Sequence, residues 1–234
     1  MVNFDVYDRR GYRTVDARTG YGQWVTSYED TVEDAMDLAL LECLQVPDWI
    51  NSQHAADLGC GTGRTGSWLR ANGVHSVDGV DITAEMLDRA RERGAHNSLR
   101  LGDVTDTGLE SAAYDLVVSS LVDEHVADLA GFYAEARRLA APAGLFVLVS
   151  FHPQFIMSSG MPTHFTTADG EDIAITTNVH LVSDHVTAGV AVGFELVEMA
   201  ERLIDDEWVA LKPSWERLRG TPISAAYVWR LRRS

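Results

Sequence analysis

Three glycines and one aspartate are the residues best suited to hold a ligand. Gly59, Gly61 and Gly63 lie at alternate positions between an apolar run and a segment compatible with a helix. Glycine adopts backbone angles that other residues avoid and places no side chain in the way of a ligand, so the spacing predicts a tight strand-to-helix turn beneath a bound molecule. Asp81 ends a second apolar run about 20 residues further on. A carboxylate at this position can accept hydrogen bonds from both hydroxyls of a ribose. Together these residues predict a site for an adenosine-containing molecule.

The glycine spacing distinguishes two kinds of nucleotide site. A dinucleotide site needs Gly-x-Gly-x-x-Gly, whereas here the third glycine comes one residue early and Arg64 occupies a place that requires a small residue. The segment resembles motif I of the class I S-adenosylmethionine-dependent methyltransferases, Asp-x-Gly-x-Gly-x-Gly. The resemblance implies S-adenosyl-L-methionine as the cofactor, with Asp57 near its methionine ammonium and the glycines beside its methionine chain. Cys60 lies inside this turn and is interpreted as a small residue at the cofactor, with a catalytic thiol as the alternative.

The composition limits the classes of partner. The chain has 234 residues, 46% of them hydrophobic, and a net charge of −16. This length suits one domain, so residues 1–234 are predicted to form a single methyltransferase domain. A uniformly acidic protein repels phosphate backbones, which argues against a nucleic-acid substrate. The polar N-terminus resembles no signal peptide, and no run of about 18 apolar residues occurs, so we expect a cytoplasmic protein with no membrane partner.

The elements that position these residues alternate between strands and helices. Apolar runs end near residues 59, 81, 101, 119 and 151, with helical patterns between most of them. This alternation predicts an α/β fold with a parallel sheet and helices on both faces. The resemblance adds a Rossmann-like, mostly parallel seven-stranded sheet that ends in a C-terminal antiparallel hairpin. Because the carboxyl ends of parallel strands share one edge, we expect Gly59, Asp81, Asp103, Ser119 and His152 around a single crevice.

The resemblance extends over residues 55–151 and assigns roles to several positions. Asp81 matches the residue that binds the ribose hydroxyls, and Ile82 matches the apolar residue that packs on the adenine. Asp103 matches the carboxylate that accepts from the adenine amino group, and Val104 would offer a backbone amide to the ring. Ser119 ends the strand that faces the transferred methyl group. A turn cap at Asp103 and a core position at Ile82 are the structural alternatives.

The segment before the first strand contains aromatic residues that could complete the site. Residues 1–50 are predicted to form an N-terminal helical cap, with a helix over residues 29–44. Tyr21 and Trp24 lie in this segment, and aromatic rings attract a sulfonium through cation–π interaction. An ordinary core role is the alternative for both residues.

Three residues are candidates for proton transfer at the methyl acceptor. Glu124 and His125 follow the fourth strand, and His152 follows the fifth. An acceptor that loses a proton on methylation is helped by a base with a suitable pKa. Residues 152–181 are predicted to be an insertion that acts as a substrate lid. The spacing of the acidic and histidine residues forms no short ligand motif, so no metal is predicted.

The predicted function is transfer of a methyl group from S-adenosylmethionine to an oxygen, nitrogen or carbon atom of a small organic molecule. The alternative is an S-adenosylmethionine-binding protein of the same fold with a cyclase-like or regulatory function, because a fold does not decide a reaction. A nicotinamide oxidoreductase is a third hypothesis, which the early third glycine disfavours. The long connection over residues 201–221 would cover the site or an interface in a homodimer.

Overall fold

The computed structural model describes Val2 and residues 4–232. Within that part of the chain no helix is both long enough and apolar enough to cross a bilayer. The strands in chain order are β1 (Arg13–Val15), β2 (His54–Leu58), β3 (Ser76–Asp81), β4 (Ser98–Leu101), β5 (Tyr114–Ser120), β6 (Ala140–Phe151), β7 (His164–Thr166), β8 (Asp172–Ile175), β9 (Phe194–Leu203) and β10 (Pro222–Leu231). The helices are α1 (Ala17–Trp24), α2 (Leu38–Cys43), α3 (Arg64–Ala71), α4 (Ala84–Arg93), α5 (Leu129–Leu139), α6 (Pro153–Ser159), α7 (Val182–Ala191) and α8 (Asp206–Leu211).

Seven of these strands form the main sheet, in the order β4-β3-β2-β5-β6-β10-β9. Strands β4, β3, β2, β5 and β6 pair in parallel, whereas β10 pairs antiparallel with both β6 and β9. The predicted α/β class, the seven-stranded sheet and the C-terminal antiparallel hairpin are confirmed. The central strands are continuous apolar runs because helices cover both of their faces, and Leu116, Val117 and Val118 of β5 are fully buried.

The core lies in two layers, one on each face of the main sheet. On one face Phe132 and Tyr133 of α5 pack against Phe146 and Trp229 of the sheet. On the other face the helices α2 and α3 bury leucines against β2, β3 and β5. The sheet is therefore held rigidly from both sides, which fixes the position of the loops at its carboxyl edge.

A second, smaller sheet has the strand order β1-β8-β7. Strand β1 comes from the N-terminal segment and pairs in parallel with β8, while β7 pairs antiparallel with β8. Its buried face joins Trp24 to Phe165, Ile173 and Ile175. The segments predicted as an N-terminal cap and as a lid insertion thus share one sheet. Its strands are only three or four residues long, which is too short for a clear alternating pattern in the sequence.

The predicted helix over residues 29–44 is wrong. The chain instead forms 3₁₀ turns at Tyr28–Asp30 and Asp34–Met36, and an α-helix only at Leu38–Cys43. Asp37 interrupts the helix because its buried carboxylate caps Leu38 and also binds Arg64. The helix α1 was not predicted, because glycines at positions 20 and 22 each disfavour a helix by about 1 kcal/mol.

Candidate active site

The glycine turn leaves bare backbone facing an open space. Gly59 and Gly61 have φ values of 70° and 52°, in the left-handed region that favours glycine. A Cβ on Gly59 would lie 2.4 Å from Cγ2 of Val122, whereas a Cβ on Gly61 would meet nothing within 4 Å. Both glycines line a cavity of about 310 Å³, which we call the first cavity. A ligand there can contact the main chain directly.

Asp81 organises this turn from the end of β3. Its Oδ2 accepts a hydrogen bond from the Gly61 amide at 2.8 Å, and its Oδ1 accepts one from the Thr83 amide at 2.8 Å. The side chain is largely buried, and this burial raises the pKa of Asp81, while the two backbone amides oppose that shift. Asp81 also lines the first cavity, so its carboxylate both holds the glycine turn and faces the ligand space.

The first cavity collects eight of the predicted site residues. These are Tyr21, Gly59, Gly61, Asp81, Ile82, Asp103, Val104 and His125. Tyr28, Met86, Ser120 and Asp128 are among the further lining residues. Of the described residues that line this cavity, three are aspartates and none is a lysine or an arginine. Such a lining suits a nucleoside with a positive group and offers no cation to a pyrophosphate.

Three predicted cofactor residues lie behind the wall of the first cavity. The Ser119 hydroxyl donates to the Leu58 carbonyl at 2.8 Å, and Ser120 lines the cavity in its place because side chains alternate along a strand. Cys60 is buried, and this burial together with the nearby carboxylates raises the pKa of its thiol. The structure therefore gives a catalytic thiolate no support. Asp57 is directed away from the cavity, toward His96.

His96 was not predicted, and it supports the glycine turn from below. Its Nε2 lies 3.0 Å from Asp57 Oδ2, and its side chain is fully buried. The imidazole occupies the space left by Gly66 and Gly79, where a Cβ would lie within 2.4 Å and 2.8 Å of the ring. A glycine inside a helix or a strand often marks such a close approach, and these two glycines were the available signal.

We expect Gly66→Ala to destabilise the protein, although alanine favours helices. The new Cβ would displace the His96 ring from Asp57, and overpacking of this kind outweighs the gain in helix propensity to leave a net loss of about 1–2 kcal/mol. Urea denaturation measures the free energy of unfolding. In a His96→Ala background the same substitution should instead stabilise, since the clash is gone. Stabilisation by Gly66→Ala in the wild type would contradict this packing.

Arg64 anchors the N-terminal segment to the glycine turn. Its guanidinium donates to Asp37 Oδ1 at 3.0 Å, and the Ser120 hydroxyl donates to Asp37 Oδ2 at 2.9 Å. Asp37 is buried, so this charged hydrogen bond is shielded from solvent. The residue that breaks the dinucleotide pattern thus holds the segment that closes over the first cavity.

A second cavity of about 580 Å³ lies beside the first. It lies between the N-terminal segment, the residues after β6 and the segment after α8. Its lining includes the predicted residues Trp24 and Glu124 together with Phe151, Phe155, Met161, Thr163, His164, Phe165 and Trp215. The rings and methionines provide an apolar part of this lining, which suits an organic molecule with an apolar body.

Four predicted side chains form a wall shared by the two cavities. Tyr21 and His125 line the first cavity, whereas Trp24 and Glu124 line the second. The Tyr21 and Trp24 rings stack with centroids 5.7 Å apart. The Tyr21 hydroxyl lies 2.9 Å from His125 Nε2, and His125 Nδ1 lies 2.7 Å from the Thr176 carbonyl. Nδ1 must therefore carry the proton, and Nε2 accepts from Tyr21.

The electrostatics of the wall favour neutral groups. Burial lowers the pKa of His125, so its imidazole stays uncharged. Burial and the neighbouring Asp123 raise the pKa of Glu124 to about 8. Glu124 is only 2% exposed; its Oε1 accepts from the Thr163 hydroxyl at 3.5 Å, and its buried Oε2 has no hydrogen-bond partner. This carboxyl group can gain or lose a proton near neutral pH.

The third candidate for proton transfer, His152, is not brought to this wall. Its Nδ1 accepts from the Gln154 amide at 3.2 Å, which caps helix α6. Its Nε2 lies 3.0 Å from a carboxylate oxygen of Glu201 on β9. The ring lines neither cavity. His152 follows β6 as expected, but the helix that starts at Pro153 uses its side chain as a cap.

Comparison with known proteins finds a methyltransferase domain in the central part of the chain. Residues 56–148 match the family described as Methyltransferase domain. In this region the chain is similar in sequence to S-adenosylmethionine-dependent methyltransferases, and its fold is similar to theirs.

Individual relatives resemble either the sequence of the central region or the fold as a whole. Malonyl-[acyl-carrier protein] O-methyltransferase of Serratia marcescens is 38% identical over 91 residues, which are 39% of this chain and 35% of that protein. An S-adenosylmethionine-dependent methyltransferase of Mesorhizobium loti has a similar structure, with a TM-score of 0.65, 23% identity, and coverage of 82% of this chain and 96% of its own. The complex of DhpI with SAH has a TM-score of 0.64 and 20% identity, covering 91% of this chain and 93% of its own. The chain spans about a third of the length of the curated relatives it matches.

Proposed function

We propose that this protein transfers a methyl group from S-adenosylmethionine to an oxygen, nitrogen or carbon atom of a small organic molecule. The observation that carries this proposal is the contact of Asp81 with the Gly61 amide at the wall of a cavity that Asp103 also lines. A ribose-binding carboxylate, an adenine-binding carboxylate and bare glycine backbone surround one space of suitable size. The net charge of −16 favours a small acceptor over a nucleic acid.

The residues of the first cavity fit the parts of this cofactor. Asp81 would hold the ribose hydroxyls, and Asp103 with the Val104 amide would bind the adenine edge. Ile82 would pack on the adenine face, and the backbone of Gly59 and Gly61 would lie along the methionine chain. The Tyr21 ring lines the same space and would face the sulfonium. An aromatic ring attracts such a positive charge through cation–π interaction.

Methyl transfer would take place where the two cavities adjoin, and side chains of the shared wall would have to move apart for the methyl group to reach the acceptor. S-adenosylmethionine, when bound, would supply a sulfonium methyl group to a nucleophilic oxygen, nitrogen or carbon atom of the acceptor, with S-adenosylhomocysteine as the leaving group. Glu124 lines the second cavity and would take the proton that an N–H or O–H acceptor loses. His125 holds the Tyr21 hydroxyl at 2.9 Å and so orients the ring on the cofactor side. The aromatic side chains of the second cavity would limit the access of water to the acceptor.

We also propose that residues 1–50 and residues 152–181 act together as the cover of both cavities within the single domain 1–234. Strand β1 of the first segment pairs with β8 of the second, and Val2 forms a bridge with Val179. Because the small sheet spans both segments, opening either of them should move the other.

Two measurements test the proposed function. Calorimetry should show that S-adenosylmethionine and S-adenosylhomocysteine bind, while a nicotinamide dinucleotide does not. Mass spectrometry after incubation with S-adenosylmethionine and a metabolite library should show a product heavier by one methyl group. Cofactor binding accompanied only by isomers of unchanged mass would favour the cyclase-like alternative. Exclusive binding of the dinucleotide would overturn the assignment.

We expect His152→Ala to lower stability and to leave methyl transfer within about twofold of the wild type. Loss of the α6 cap should cost about 1 kcal/mol in the free energy of unfolding. His152→Asn, which can still cap the helix, should recover most of that loss. A large fall in turnover with normal cofactor affinity would instead restore His152 as a catalytic residue.

A further inference from the structure

The second cavity has a lining that distinguishes among classes of methyl acceptor. We propose that it binds an organic amine, with the amino group at Glu124 and an apolar body between the aromatic rings. This inference rests on the proposed function and narrows its acceptor to nitrogen. Three observations support the inference: the charged groups of the lining, its aromatic rings, and the oxygen of Glu124 that has no hydrogen-bond partner.

Carboxylates predominate among the charged groups of the second cavity. Glu124 lies at the wall shared with the first cavity, and Asp30 and Glu33 are further lining residues. The one ammonium group in the described lining, that of Lys212, lies 3.8 Å from a carboxylate oxygen of Glu33. An ammonium ligand would favour the charged form of Glu124, whose pKa burial raises to about 8, whereas a carboxylate or phosphate ligand would be repelled by these groups.

Aromatic rings that are packed against one another line part of the second cavity. Trp24 and Phe165 stack with centroids 5.7 Å apart, and Trp215 lies against Phe155 at 5.3 Å. Such walls bury a hydrocarbon body and also attract an ammonium group. An alcohol would gain from the first effect only.

The cavity already holds one ammonium group in this manner. The Nζ of Lys212 lies 5.2 Å from the centroid of the Trp215 ring and 3.8 Å from Glu33. Trp24 and Glu124 also place an indole and a carboxyl group in the lining of this cavity. The indole Nε1 of Trp24 donates to the Thr31 hydroxyl, so the ring is held in place.

The unpaired oxygen of Glu124 marks where an N–H group would bind. Oε2 is buried without a hydrogen-bond partner, whereas Oε1 accepts from Thr163. A buried acceptor without a partner is costly, and a ligand donor removes that cost. An amine can donate a hydrogen bond to this oxygen and, once protonated, form an ion pair with it, which is stronger than a hydrogen bond from an alcohol.

Three probes of one shape test the proposal: 3-phenylpropylamine, 3-phenylpropanol and 3-phenylpropanoate. Their dissociation constants are measured by calorimetry on the full chain saturated with S-adenosylhomocysteine. In the wild type we expect the amine to bind at least about tenfold more tightly than the alcohol, and the carboxylate to bind most weakly. In Glu124→Gln the advantage of the amine should fall below about threefold.

Control variants separate this site from general electrostatics. Glu92 is an exposed residue of α4 that does not line the second cavity. Glu92→Gln should therefore keep the tenfold preference for the amine over the alcohol. If Glu124→Gln does not fold, Trp24→Leu serves instead and should also reduce the preference for the amine. Equal binding of amine and alcohol, tightest binding of the carboxylate, or no amine binding to the S-adenosylhomocysteine complex would overturn the inference. Failure to bind S-adenosylhomocysteine, measured first, would instead count against the proposed function.

Discussion

Asp81→Ala is expected to weaken the binding of S-adenosylmethionine by about 10- to 150-fold, or about 1.5–3 kcal/mol. The substitution removes the carboxylate that would accept the ribose hydroxyls. It also frees the Gly61 amide, which donates to Asp81 at 2.8 Å, and so loosens the turn that would contact the methionine chain. Calorimetry with S-adenosylhomocysteine measures the loss, and circular dichroism checks that the chain remains folded.

The two roles of Asp81 can be separated with matched variants. Asp81→Asn keeps the size of the side chain and one acceptor oxygen, so it should lose less affinity than alanine. Asp103 lines the same cavity, and its carboxylate is the one assigned to the adenine. Asp103→Ala removes this carboxylate but leaves the glycine turn intact. A folded Asp81→Ala protein with wild-type affinity would refute the assignment of the ribose site.

Glu124→Gln is expected to reduce kcat by about 10²- to 10⁴-fold while cofactor affinity stays near that of the wild type. Glutamine matches the shape of glutamate but cannot take a proton from the acceptor. The measurement is steady-state turnover with an acceptor identified by mass spectrometry, together with calorimetry of S-adenosylhomocysteine. Retention of kcat within about threefold of the wild type would remove Glu124 from proton transfer.

The pH dependence provides an independent test of the same residue. A base must be deprotonated to act, and burial raises the pKa of Glu124 to about 8. The kcat/KM of the wild type should therefore rise with pH up to about 8 and then level off. In Glu124→Gln the residual activity should lack this rise. A wild-type profile that is flat between pH 6 and about 8 would contradict a base with this pKa.

Much of the lining of the first cavity could be predicted because its signals are local. The glycines of the turn, Asp81 and Asp103 each follow a strand of the parallel sheet, and the strand order brings them to one edge. The prediction was less accurate where it depended on which of two adjacent side chains faces the cavity. Ser119 and Ser120 are adjacent, and only the pleat of β5 determines which of them faces the cavity.

The sequence by itself determined the α/β fold, the glycine turn and the carboxylate that supports it, because each depends on periodicity or on spacing within one strand–turn–helix unit. The lining of the second cavity and of the wall beside it could be determined only from the tertiary structure. The small sheet packs Trp24 against Phe165, and Trp215 packs against Phe155, so residues far apart in the chain line one cavity. The pKa of Glu124 also arises there, since burial is a property of the packed molecule.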